Sequence, residues 1–309
     1  MKEMRTQLAE ILMALLVLLC LPSAARAGEA IPPEYYLNET NGGVIEARYR
    51  DMGRYETKCY VMSKGEQVYL GYRYKVWLPK GEQGKKFPLV IMVNGTGSSC
   101  DLDEPVYEHL ASWGFIVAGN TDPNTAMGHT ADYTLALALK ENETAGSLLY
   151  KKIDTDHIGL CGFSQGGAGA IHALLYRRGG SRYKTMVTVS AVTRSITERL
   201  SLSSWRYDTK DIVIPYFMVA STGGTDRKFI APLAEMEENF DGLPASVFSI
   251  MARRRRADHT TAQAAADGYI TAWFCWQLKG DRYAAKAFTG ETREIFKNPL
   301  WDNAKWKGG

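Results

Sequence analysis

Beyond its first 27 residues the 309-residue chain has no apolar run long enough to cross a bilayer, no Cys-x-x-Cys pair and no clustered His/Cys spacing. It also has no internal repeat and no low-complexity linker. A spanning helix needs about 20 apolar residues, so the first absence excludes a membrane-embedded body and a stable membrane anchor. The missing ligand spacings leave no metal-site signal. Without repeats or linkers, residues 28–309 read as a single domain. An excess of one charge sign is missing too: 37 Lys and Arg face 34 Asp and Glu, for a net charge of +3. That balance lacks the electrostatic footprint of a nucleic-acid binder or of a strongly charged partner. Histidine is scarce, with five in all.

The start of the chain has the pattern of a signal peptide. Lys2 and Arg5 form a basic region blemished by Glu3 and Glu10, Ile11 to Leu21 is unbroken apolar sequence, and Ala25-Arg26-Ala27 is a small-x-small cleavage site. Cys20 invites a lipoprotein reading, but Leu19 stands before it where a small residue would be expected, so cleavage after Ala27 is preferred. The expectation is a protein secreted or released to the periplasm, with a net charge of about +2 once residues 1–27 are removed. Such a compartment permits disulfides among Cys59, Cys100, Cys161 and Cys275, in any of three full pairings.

Strand and helix patterns alternate along the chain. Gly43 to Arg50, Lys58 to Met62 and Tyr72 to Leu78 read as early strands, the last with Tyr72, Tyr74, Val76 and Leu78 on one face. Pro88 to Val93 reads as a strand buried on both faces, followed by a turn-rich loop, Asn94 to Ser99. Helix from Pro105 to Trp113, strand from Phe115 to Ala118 and helix from Ala131 to Lys140 follow. Further strands are expected at Ile158 to Cys161, Thr185 to Ser190, Ile212 to Ala220 and Ala245 to Ile250. Helices are expected around Ala231 to Asn239 and from Thr261 to Leu278. This is an α/β pattern: a mainly parallel central sheet with helices on both faces and an antiparallel N-terminal edge. In such sheets the site lies beyond the carboxyl ends of the strands.

At the end of one of those strands stands Gly162-Phe163-Ser164-Gln165-Gly166, with small residues opening a helix after it. This is the G-x-S-x-G pattern in the strand–turn–helix context that makes a nucleophile elbow. A serine on so sharp a turn leaves no space for a Cβ two residues before or after it, which favours glycine at both positions. On an elbow of this kind the serine is followed by an acid and then a histidine. His109, His129 and His157 precede Ser164, and His172 lies more than two helical turns beyond it. Elimination leaves His259 as the base. Asp226, reached from the strand before it through the loop Ser221 to Thr225, is the preferred acid. Asp258 is adjacent to the histidine and poorly placed to align with its ring, and Asp241 follows a helix on the other side of the sheet. Two backbone N–H groups are needed for an oxyanion: that of Gln165, next after the nucleophile, and that of Thr96 in the loop after Val93.

These residues bring the chain close to a known family. From about Tyr72 to Phe288 it resembles the cutinase-like branch of the α/β hydrolases, with its bacterial cutinases, lipases and polyester hydrolases. The resemblance rests on Asn94-Gly95-Thr96-Gly97, His109 to Phe115, Ile153-Asp154-Thr155, Gly162 to Gly167, Asp226 with Ile230 and Pro232, Ala257-Asp258-His259, Ala272-Trp273-Phe274 and Asp281-Arg282-Tyr283. It implies the α/β-hydrolase fold and a Ser164–Asp226–His259 carboxylic ester hydrolase without a cofactor, acting on small-molecule, lipid or polyester esters. Three departures concern substrate. Thr96 and Gln165 replace an aromatic residue and a methionine, Ala191-Val192-Thr193 lacks the family's clamp tryptophan, and Arg253 to Arg256 form a charge run beside the histidine. That run reads as a solvated face or as an electrostatic funnel for anionic esters. An acyltransferase using the same triad, and a binding protein that keeps the fold without catalysis, are the competing readings.

Overall fold

In the computed structural model, which describes residues 30–62, 69–81 and 84–308, the apolar segment Phe87–Val93 is β3, buried along its whole length. Its side chains alternate between two layers: Val90 and Met92 join one apolar cluster, and Leu89, Ile91 and Val93 join another on the opposite face. A strand covered on both faces needs no polar side, which is why it reads as a continuous apolar run.

Around it lie β1 (Thr57–Val61), β2 (Tyr74–Pro79), β4 (Ile116–Asn120), β5 (Ile153–Phe163), β6 (Tyr183–Val189), β7 (Tyr216–Ser221), β8 (Ser249–Arg254) and β9 (Trp301–Lys307). The nine strands form one sheet in the order β1-β2-β4-β3-β5-β6-β7-β8-β9. From β4 to β8 every pairing is parallel, whereas β1, β2 and β9 pair antiparallel at the two ends. One face is covered by α1 (Val44–Arg50), α2 (Glu104–Ser112) and α7 (Ala262–Lys279). The other is covered by α3 (His129–Glu143), α4 (Gln165–Tyr176) and α6 (Leu233–Gly242), with the short α5 (Arg194–Arg199) beyond β6. Helix α7 is apolar on nearly every side because it is buried: Tyr269, Trp273 and Phe274 enter the core, and Gly280 ends the helix in a left-handed conformation at φ 67°.

The α/β class, the mainly parallel sheet and its antiparallel N-terminal edge agree with the sequence reading. Three elements correct it. Residues 43–50 are not a strand but helix α1: Glu46 and Arg50 pair along it (3.6 Å), and Glu294 accepts the N–H groups of Ile45 and Glu46 at its open end (2.9–3.0 Å). The strand expected at 245–250 sits four residues later, at Ser249–Arg254, and so takes up the first half of the arginine run. Strand β9, with Asp302, Asn303, Lys305 and Lys307 among its seven residues, carries no apolar alternation and was not anticipated. The leader assigned to residues 1–27 lies outside the described residues. Cys59, Cys100, Cys161 and Cys275 are all free thiols, so none of the three pairings forms. Among the described residues, no helix is long and apolar enough to cross a membrane and no group of three His, Cys, Asp or Glu is arranged to hold a metal ion.

Candidate active site

The elbow sits where β5 ends and α4 begins. Ser164 takes φ 56° and ψ −124°, and its N–H donates to Val189 at the end of β6 (2.9 Å). The turn is closed by near-contact of backbones. A Cβ on Gly162 would lie 2.1 Å from the Gly166 carbonyl oxygen, and one on Gly166 would lie 2.1 Å from that of Val93. Neither neighbour is a side chain that could move aside, so both positions require glycine.

Three loops at the carboxyl ends of β5, β7 and β8 bring the sequence-derived set together. His259 Nε2 is 2.9 Å from Ser164 Oγ, and His259 Nδ1 is 2.7 Å from Asp226 Oδ1. The carboxylate can only accept at Nδ1, so the proton sits there and Nε2 is left to accept from the serine hydroxyl. All three side chains are buried, with Ser164 6 % exposed and Asp226 fully enclosed. Phe163 stacks on the His259 ring at 5.0 Å and 28°, fixing its plane.

Asp226 opens a single wide helical turn, Asp226–Ile230, after β7. Its second oxygen accepts three hydrogen bonds: from Ser190 Oγ (2.5 Å), Ser221 Oγ (2.6 Å) and the Ser221 N–H (2.8 Å). Burial pushes this carboxyl up, but the charge and hydrogen bond of His259 and the two serine hydroxyls outweigh it and hold it below the usual carboxylate value. Asp226 therefore stays an anion. Ser190 and Ser221 escaped the sequence reading; their signal is a polar residue ending an otherwise apolar strand at the carboxyl edge of the sheet.

Asp258, set aside as an acid, joins the two loops. It accepts the N–H of His259 (2.8 Å), forms a reciprocal cap with Thr261, and accepts from the Thr225 N–H (3.0 Å) and hydroxyl (3.2 Å). The loops that carry His259 and Asp226 are thus tied at a point next to the contact between those two side chains. Asp241 lies in α6. The other histidines are placed elsewhere: His109 is buried against Asp267, His129 begins α3, His157 pairs with Asp154, and His172 donates to the Arg206 carbonyl (3.0 Å).

Gln165 is the first residue of α4, where N–H groups have no partner within the helix. Its side chain is spent on the loop after β4, donating to the Pro123 carbonyl (2.9 Å) and accepting the Ala126 N–H (3.2 Å). Thr96 is buried in the loop after β3, and a Cβ on the preceding Gly95 would come within 3.3 Å of Ser164 Cβ. Gln165 follows Ser164 directly, and the loop that holds Thr96 borders it through Gly95. The smallest apolar cluster also reaches the elbow: the Val192 N–H donates to the Ser164 carbonyl (3.3 Å), and Ala168 and Ala126 flank it, with Met127 and Phe229 on the partly exposed side. No aromatic residue stands at 191–193.

The arginine run is half internal and half exposed. Arg253 and Arg254 are buried on β8, Arg255 pairs with Asp302 of β9 (2.6 Å), and only Arg256 extends past the strand into solvent without a described partner. Neighbouring strand residues face opposite layers, which is how two adjacent arginines can both be internal. Arg254 donates to the carbonyls of Ala265 (3.1 Å) and Thr40 (2.6 Å), whereas Arg253 donates to that of Ser221. No protein-family model matches this chain, and no curated protein does.

Proposed function

We propose that the chain is an exported serine carboxylic ester hydrolase with the α/β-hydrolase fold, close to the cutinase-like branch, and that it works through an acyl-enzyme on Ser164. The observation that carries this reading is the unbroken path Ser164 Oγ–His259 Nε2–His259 Nδ1–Asp226 Oδ1, with contacts of 2.9 and 2.7 Å. Its position at the carboxyl ends of parallel strands, on a glycine-closed elbow, supports the same conclusion.

Ser164 Oγ attacks the ester carbonyl carbon as His259 Nε2 takes its proton, and the carbonyl π pair moves onto oxygen. The N–H groups of Gln165 and Thr96 donate to the resulting oxyanion. Asp226 remains ionised and stabilises the imidazolium. Collapse breaks the bond to the alkoxide, which takes the proton from Nε2 and leaves as the alcohol. Water then attacks the acyl-enzyme, losing its proton to His259, and Ser164 departs with that proton. The partly exposed apolar side chains of Met127 and Phe229, packed against the cluster beside the elbow, suit an alkyl or acyl group. With no aromatic residue at 96 or 191–193 to stack on a terephthalate ring, small soluble esters are preferred to aromatic polyester.

The test is a fluorophosphonate probe on the purified protein, combined with p-nitrophenyl esters from acetate to palmitate. Covalent labelling at Ser164 with hydrolysis of the shorter esters is expected. A folded protein that neither labels nor turns over any ester would overturn the reading.

A further inference from the structure

We propose that Arg253 is a positioning residue for the triad: through the Ser221 carbonyl it holds the group that binds Asp226, and its charge acts on the same carboxylate. This rests on the ester-hydrolase reading above. The geometry is a relay from β8 to β7 to the acid loop. Arg253 Nε and Nη2 both donate to the Ser221 carbonyl, at 3.0 and 2.8 Å, and the same serine supplies two of the three donors on Asp226 Oδ2. Ser221 and Arg254 are cross-strand partners, so Arg253 stands one position before the pairing that ends β7.

The position is unusual for a guanidinium. Arg253 is 3 % exposed, and a buried charge is costly unless an opposite charge compensates it. Burial lowers its affinity for a proton, and the field of Asp226 is the main opposing influence; Arg227 opposes binding and Asp302 favours it. Asp302 is already taken by Arg255. Of the two carboxylates that favour the Arg253 charge, Asp226 acts the more strongly and Asp302, opposite it on β9 and bound to Arg255, the less. Asp258, the other carboxylate beside the histidine, is engaged in capping the His259 and Thr225 N–H groups.

The sign of the effect follows from the order of charges. Asp226 is an anion that acts on two cationic groups, Arg253 through their shared neighbour Ser221 and the imidazolium that forms at His259. Taking away a positive charge that acts on Asp226 lets that carboxylate hold the imidazolium more firmly and removes a repulsion from the ring, so a neutral residue at 253 should favour the protonated ring relative to the parent. A guanidinium that only filled space or tied strands together would have no such effect.

Three variants read the relay: Arg253→Met and Arg253→Gln, which remove the charge, and Arg253→Lys, which keeps it. Ser221→Ala removes one of the two donors that Ser221 gives Asp226, with little change in volume, and leaves the backbone carbonyl that Arg253 holds. The expected result is an upward move of the acid limb of kcat/KM by about half a unit or more in Met, Gln and Ser221→Ala. Arg253→Lys should stay near the parent. The His259 ring, followed by NMR through its Cε1–H, should move in the same direction without any turnover, which separates the two possible failures. If Ser164 does not label, the hydrolase reading fails while the ring titration still scores Arg253. If the limb and the ring stay in place in all the neutral variants, with only melting temperature or kcat reduced, Arg253 is structural and this inference is wrong.

Discussion

Ser164 is held in a backbone conformation that side chains other than glycine seldom enter, at a cost of order 1–3 kcal/mol that the surrounding structure must offset. The hydrogen bond from its N–H to Val189 and the close backbones of Gly162 and Gly166 hold it there, so removing the hydroxyl should leave the fold untouched. Ser164→Ala and His259→Ala are each expected to lower kcat by roughly 10⁴- to 10⁶-fold, and Asp226→Asn by somewhat less, because serine and base act as one unit. Steady-state kinetics beside thermal melting checks this. A folded His259→Ala enzyme that still turns over, with activity lost instead in His172→Ala or His129→Ala, would undo the assignment. The contact of Ser164, His259 and Asp226 was legible in the sequence because an elbow followed by only one correctly ordered histidine leaves little choice. Ser190, Ser221 and Arg253 were not legible. Their roles depend on which strand end lies beside which loop, and a four-residue error in placing β8 was enough to put Arg253 in solvent.

Helices α1, α2 and α7 meet around a buried histidine. His109 Nε2 donates to the carbonyls of Arg50 (2.8 Å) and Asp51 (3.0 Å) at the end of α1, and Nδ1 lies 2.6 Å from Asp267 Oδ2 in α7. Tyr35 donates to the same carboxylate oxygen (2.5 Å), so both ring nitrogens face only acceptors. Burial pulls the imidazole down, yet Asp267 and the two carbonyls outweigh it and raise it above 6.5. A group raised on folding stabilises fully below its unfolded value and loses that contribution as pH climbs through the folded one. The melting gap between the parent and His109→Gln should therefore be a few degrees near about pH 6 and should narrow by about pH 9. A gap that is constant with pH would mean the ring is neutral throughout. The helix at this junction is also the one the sequence misled on. Val44 and Ile45 favour a strand locally, and the carboxylate that caps the helix, Glu294, is supplied from almost the far end of the chain.

Over the whole molecule, the alternation of strands with helices and the mainly parallel sheet were readable from runs such as Phe87–Val93, whose burial on both faces dictates composition. Strand β9 was not, because an edge strand beside β8 needs backbone pairing more than apolar side chains. The same distinction decides how the protein meets a charged substrate. With Arg253 and Arg254 internal and Arg255 paired with Asp302, the run beside His259 presents too little free charge to concentrate an anionic ester. A matched pair of neutral and carboxylated esters should show equal changes in kcat/KM between low and high salt, given screening lengths of about 8–10 Å near physiological ionic strength. A selective loss for the carboxylated ester at high salt would restore the funnel.

The four unpaired cysteines bear on how the molecule fails. In the native state burial pushes every thiol up, Cys59 to about 11 and Cys275 to about 12, with Cys100 and Cys161 higher still, so little thiolate exists for an oxidant to attack. Unfolding returns all four to ordinary values near about 8.5 and exposes them together. In an oxidising medium the unfolded chain would then acquire crosslinks that the native fold has no place for, and opening would become a one-way step. Heating and cooling should restore the native signal when a reductant is present and fail to do so without one, and full recovery under both conditions would show that the thiols play no part in the loss.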